Sequence, residues 1–265
     1  MRVFISLTSA VARPSVSFVA IDIRVRPSAA APDRTGRGRG SRLQTLWRST
    51  IGKKAVMAVT GLIMVAFLLV HMLGNLKIFF GPHDFDGYAA WLRTIGEPVL
   101  HGAWFLWIQR AMLAVALVLH VTCAVQLSRQ DRAARPIRYA HSRPSGGSFA
   151  TWTMRWGGLM LAVFLVWHLL DLTAGVTNPD FDKGSPYHNV VADFQVWWIN
   201  AIYFIGVLMV GLHVNHGFWS ATRTLGLGRR PGRDAAVRAV GSTLAVMITL
   251  GFLAVPIGVM TGLVR

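Results

Sequence analysis

Five blocks of mostly apolar residues, at about 55 to 79, 103 to 127, 156 to 176, 196 to 221 and 236 to 263, follow one another along the chain. Each matches the roughly 20 apolar residues that a helix needs to cross a bilayer, and polar connections separate them. The pattern predicts an all-α fold, an integral membrane bundle of five transmembrane helices forming one domain over residues 45–265. Residues 1–44 break the pattern. Their stretch "RPSAAAPDRTGRGRGSR" cannot bury a core, and a disordered basic N-terminal tail is expected there. The opening "MRVFISLTSAVA" carries a weak apolar stretch with no clear cleavage arrangement after it, and is read as part of that tail.

Composition supports the membrane reading: 53% of residues are hydrophobic and 14% charged. The net charge of +16 would suit nucleic acid, but its distribution argues against that partner. Twenty Lys and Arg lie in 24–54, 129–155 and 223–238, whereas the connections 77–101 and 175–195 hold only Lys77, Arg93 and Lys183. Alternate connections are basic. This is the positive-inside pattern of a multi-pass protein of the cell inner (plasma) membrane, with a cytoplasmic N-terminus and Arg265 outside. Seven of the eleven acidic residues fall on the outer half, in agreement. The single cysteine, Cys123, excludes an internal disulfide, a thiolate-held cluster and a structural zinc site. Any metal here is expected to be held mainly by histidine.

Histidine is where the apolar pattern is interrupted. In "LLVHMLGN" (68–75), His71 lies near the far end of the first span, where an unpaired imidazole is costly. The segment "GLIMVAFLLVHML" (61–73) aligns without a gap on "GLMLAVFLVWHLL" (158–170), so the first and third spans are variants of one unit. In both, a glycine precedes the histidine by ten residues, nearly three turns, which places Gly61 with His71 and Gly158 with His168 on one face. A small residue there lets a flat, bulky group or another helix approach the backbone. The second and fourth spans share a weaker echo, "LHV", carrying His120 and His213.

Depth sorts these four histidines. At about 1.5 Å per residue, His71 and His168 lie roughly 24 and 18 Å from the cytoplasmic ends of their spans, in the outer half. His120 and His213 lie roughly 25 Å inward from the outer side, in the inner half. Two layers result, about 12–18 Å apart, each drawn from antiparallel-neighbour helices. Paired histidines at two depths are what two bis-histidine b-type haems require, which makes the first four helices a dihaem core. Core histidines bonded to carbonyls, without haem, are the bland reading.

Cations and carboxylates near these layers extend the candidate site. Arg110 lies near the depth of His71 and His168 and Arg155 near the other pair; each is a candidate for a haem propionate, or snorkels to the headgroups. His216, one turn beyond His213, either hydrogen-bonds a propionate or replaces His213 as ligand; the spacing does not separate the two. Asp171, three residues after His168, and Glu97, in "RTIGEP", are placed to exchange protons with a quinone at the outer haem, unless both are solvated helix-end groups. The chain has no flavin, nucleotide or cluster motif. It must take electrons from a partner or a membrane-soluble carrier, and its basic loops offer a docking face for a soluble one.

The segments "RSTIGKKAVMAVTGLIMVAFLLVHMLGNLKIFFG", "YAAWLRTIGEP", "MRWGGLMLAVFLVWHLLDLT" and "VGLHVNHGFWSATRTLG" together resemble the cytochrome b558-type membrane anchor of succinate dehydrogenase, especially its actinobacterial form. The likeness runs over about residues 43–264. It implies a five-helix dihaem subunit that anchors a flavoprotein and an iron-sulfur subunit on the cytoplasmic side and passes succinate-derived electrons to a quinone, with menaquinone expected. Succinate oxidation would then occur on the flavoprotein. In the family the axial ligands correspond to His71 with His168 and His120 with His213, the pairing that depth gives. Two rivals stand beside this one: the dihaem cytochrome b of a formate dehydrogenase or hydrogenase, and a haem-free anchor or transporter.

Overall fold

The computed structural model describes residues 44, 47, 49–134, 146–178, 180–227 and 232–265, with 146–153 described in backbone alone. The tail predicted over 1–44 lies outside the described residues except for Gln44. Among the described residues there are seven α-helices and no strand: α1 Thr50–Leu76, α2 Pro82–Thr94, α3 Trp104–Ala133, α4 Gly146–His168, α5 Pro186–Phe194, α6 Trp197–Thr224 and α7 Arg233–Met260. Five of them (α1, α3, α6, α7, and α4 with the turn that follows it) are long and apolar enough to cross a membrane, as a multi-pass membrane protein requires. The five predicted spans and the five long helices coincide.

Local chemistry explains where these helices begin and end. Ser49 caps α1, its hydroxyl accepting from the Gly52 N–H at 2.9 Å, and Ser185 caps α5 just before Pro186 in the first turn. Gly81, at φ +95°, turns the chain from α1 into α2, a conformation in which a side chain would be strained. At the end of α4 the helix widens into a π turn, Leu169–Thr173, closed by the Ala174 N–H on the Leu169 carbonyl at 2.9 Å. Such turns are rare and often mark functional sites.

The long helices stand in the lateral order α3, α1, α6, α4, with α7 packed against α1 and α6. α3 and α4 end the row without extended contact with each other. No described side chain of α4 is fully buried, whereas Ile199 of α6 and Ile248 of α7 are completely so. The order corrects one expectation: the histidine layers do not come from antiparallel neighbours. α1 and α4 both end at the His71/His168 level, so they run in the same direction, and α3 and α6 run together the opposite way. Each layer therefore crosses a diagonal of the four-helix set. α4 approaches α6 closely at Gly206, where a Cβ would run into the Phe164 ring.

Two short helices cover the His71/His168 end, where the hydrophobic pattern predicts only connections. Phe85 of α2 and Tyr187, Val191 and Phe194 of α5 join Ile78 in a buried core beneath them. For those side chains that leave water, burial contributes about 1.5–3 kcal/mol each. Asp86 ties the two helices, accepting from Ser185 Oγ at 2.9 Å and the Tyr187 N–H at 2.8 Å, and Tyr187 donates to the Arg265 carbonyl at 2.9 Å.

Candidate metal and cofactor site

The four intramembrane histidines meet in pairs. The rings of His71 and His168 stand 6.0 Å apart, centre to centre, with planes at 79°; those of His120 and His213 stand 6.4 Å apart at 62°. A metal–imidazole bond of about 2.0–2.1 Å, plus about 1.1 Å from nitrogen to ring centre, taken twice, spans about 6.3 Å. Both separations fit one metal atom between two rings. Among the described residues no three His, Cys, Asp or Glu side chains gather into a metal cage. Two protein ligands are too few for a structural zinc but are what an iron inside a macrocycle takes.

Neighbouring groups orient these rings. His120 Nδ1 lies 3.0 Å from the Met57 carbonyl and 3.3 Å from Thr60 Oγ1. A carbonyl only accepts, so Nδ1 carries the proton and Nε2 keeps its lone pair for a metal. His168 reaches the same tautomer by a longer route. Tyr203 donates to Asp171 Oδ2 at 2.8 Å, which leaves its oxygen to accept from His168 Nδ1 at 3.3 Å. Carboxylates and carbonyls behind a ligand histidine commonly set its orientation and basicity. Nδ1 of His213 is buried without a hydrogen-bond partner among the described residues, a costly state for a polar group away from water.

The phenylalanine and the glycine repeated in the first and third spans each have a place in this geometry. The phenylalanines one turn before the histidines lie against them: Phe67 stacks on His71 at 5.2 Å and 15°, and Phe164 on His168 at 6.1 Å and 30°. Gly61 and Gly158, however, serve the other layer. A Cβ on Gly61 would stand 3.2 Å from Cε1 of His120, and one on Gly158 would stand 3.9 Å from Cε1 of His213. Ten residues of helix rise about 15 Å, so α1 carries His71 at one level and leaves room for His120 at the next. That distance is the layer separation expected from the sequence. The same offset of ten relates Tyr203 to His213 and Arg110 to His120, a signal that could have pointed to Tyr203, which the sequence reading missed.

The remaining candidates are placed unequally. Asp171 is fully buried in the π turn and accepts from Thr177 Oγ1 at 2.7 Å as well as from Tyr203; it is no solvated helix-end group. Glu97 lies exposed in the connection after α2, and no hydrogen bond among the described residues joins it to the His168 cluster. Arg110 is exposed, its guanidinium over the Trp107 ring at 5.1 Å. Arg155 meets Asp131 at 3.5 Å, bridging the ends of α4 and α3. His216 hydrogen-bonds the Leu212 carbonyl of its own helix at 3.2 Å, and it is His213 whose ring faces His120. Asp193 and Thr177 are the cluster members that no residue spacing singles out.

No family profile, curated protein or solved structure matches the chain.

Proposed function

We propose that the chain is a dihaem membrane-anchor subunit of a succinate:quinone oxidoreductase of the cytochrome b558 type. It takes electrons from an iron-sulfur subunit, held with its flavoprotein on the cytoplasmic face, and passes them to a quinone, menaquinone being the expected one. The observation that carries the reading is the meeting of four histidines in two diagonal pairs, 6.0 and 6.4 Å apart. The sequence likeness to such anchors gives the choice of partner, and the basic loops supply a docking face of suitable charge.

In this reading His71 with His168 and His120 with His213 would each hold one haem b. A haem held between two imidazoles would supply one-electron transfer rather than substrate binding. The chain's own residues do the rest. Met57 and Thr60 orient His120; Tyr203 orients His168; Phe67 and Phe164 support the rings of the same layer. Asp171 holds an acceptor carboxylate behind His168, at the end where quinone chemistry is expected.

Quantifying haem by pyridine haemochrome on the purified protein tests the reading, with two haems b per chain expected and none overturning it. Recovery of a succinate-type flavoprotein with the tagged chain is expected; a formate dehydrogenase or hydrogenase partner would replace the succinate assignment. Asp171→Asn keeps the side chain's size and removes its charge. Quinone turnover is expected to fall by about tenfold or more while both haems stay, as measured by activity against haem content.

A further inference from the structure

Asp193 has no role in the reading above, yet it is one of the two fully buried carboxyl groups of the protein's described part. Neither of its oxygens has a hydrogen-bond partner of the ordinary donor kind, and it lies within hydrogen-bonding reach of the other buried carboxyl, Asp171. Its position is fixed. The Val196 N–H bonds the Asp193 carbonyl at 3.1 Å, and Asn200 Nδ2 caps the neighbouring Phe194 carbonyl at 2.7 Å, so the end of α5 is pinned to α6.

We infer that Asp171 and Asp193 form a buried carboxyl pair that holds one proton between them, and that Tyr203 links the charge of this pair to His168. The first half stands on the burial of both carboxyls, the donors gathered on Asp171 and the unpartnered oxygens of Asp193; the second rests on the reading of His168 as a haem ligand.

Two adjacent carboxylates away from water cannot both stay ionised, because each raises the cost of charging the other. The donors divide the roles. Thr177 and Tyr203 both donate to Asp171, which marks Asp171 as the charged partner. Asp193 receives nothing, and a proton on it satisfies the pair by donation to Asp171. Burial first, and then the bond to and charge of Asp171, push the Asp193 carboxyl up to about 8. The titratable groups facing the pair are Tyr203 on α6 and, behind it, His168; His188 of α5 is engaged with Asp180 at 3.1 Å on the exposed side.

The pair thus carries one negative charge with its proton and two without. When one electron from an external one-electron reductant arrives at the His71/His168 site, the added negative charge favours the protonated pair, which takes up one proton from water. Nothing else changes in the balance.

Two measurements on the complete haem-loaded assembly test this. In infrared spectra, a carboxylic-acid C=O band is expected near neutral pH, fading above about pH 8 and missing in Asp193→Asn. In potentiometric titrations from about pH 6 to about pH 10, the midpoint of the His71/His168 centre is expected to fall as the pair loses its proton. Asp193→Asn should hold it at its low-pH value throughout, and Asp193→Glu should restore the fall. A side chain that only packs would leave both profiles unchanged. If Asp193→Asn does not fold, Asp171→Asn serves: Asp193, freed of its charged neighbour, should then lose its infrared band at lower pH.

Absence of the acid band in the wild type overturns the pair. A normal band with a midpoint insensitive to pH overturns the link to His168. The infrared arm needs no haem, so a protein that lacked haem but showed the band would defeat the dihaem reading and keep the pair.

Discussion

His71→Ala is expected to remove one haem of two and leave the other in place. The ring of His71 faces only His168 among the four histidines, at 6.0 Å, so its loss leaves that centre with a single protein ligand. The second centre depends on His213 and on His120, and the supports of His120, Met57 and Thr60, lie on α1 three to four turns before His71. Haem content should therefore halve, and one component of the reduced-minus-oxidised spectrum should vanish. His168→Ala should delete the same component as His71→Ala, and the double substitution should cost no more haem than either alone. If the two single variants deleted different components, the diagonal pairing would be wrong.

The second large effect comes from the same helix and has the opposite target. Gly61→Leu should abolish the His120/His213 centre and spare the His71/His168 centre, although residue 61 belongs to the repeat unit that carries His71. A Cβ at this position already stands 3.2 Å from His120 Cε1, and the branched remainder of a leucine has to occupy the layer itself. Gly61→Ala asks for a shift of a few tenths of an ångström and should lower that centre's occupancy without deleting it. Gly157→Ala is the control, because a Cβ there meets nothing within 4 Å. It should leave both spectra intact and stabilise the helix by up to about 1 kcal/mol. Separate quantification of the two haem components in membranes of each variant decides the matter. Loss of the His71/His168 component in Gly61→Leu would show that the glycine acts within its own layer.

Much of the fold was legible because the information is one-dimensional. Apolar run length identifies a spanning helix, and the fixed rise per residue converts sequence position into depth, so His71, His120, His168 and His213 could be sorted into two levels before any contact was known. The short helices α2 and α5 were not legible in this way. They are brief and mixed in composition, and they form because Pro82, Ser185 and Pro186 start them and the Asp86 bonds hold them over a shared core.

The candidate site divides along the same line. Asp171 was found because it follows a histidine at helical spacing. Asp193 was passed over because 22 residues and a change of helix separate it from Asp171, and only the folding of α5 back onto the π turn brings the carboxyls together. Gly61 was noticed for its small size on the face of His71, but the ring it makes room for, His120, could not be named from the sequence. The face it presents depends on how α1 is rotated against α3, and a ten-residue spacing leaves that rotation open.

By itself, then, the sequence determined the number, length and order of the spanning helices and the depth of each histidine, because hydrophobic run length and helical rise are local properties of the chain. Only the tertiary structure decided which helices face each other, that the histidines pair across diagonals, that each glycine makes room for the other layer, and that two acids share one buried place. Those depend on the azimuth at which helices pack and on contacts between segments far apart in the chain, which no local periodicity encodes.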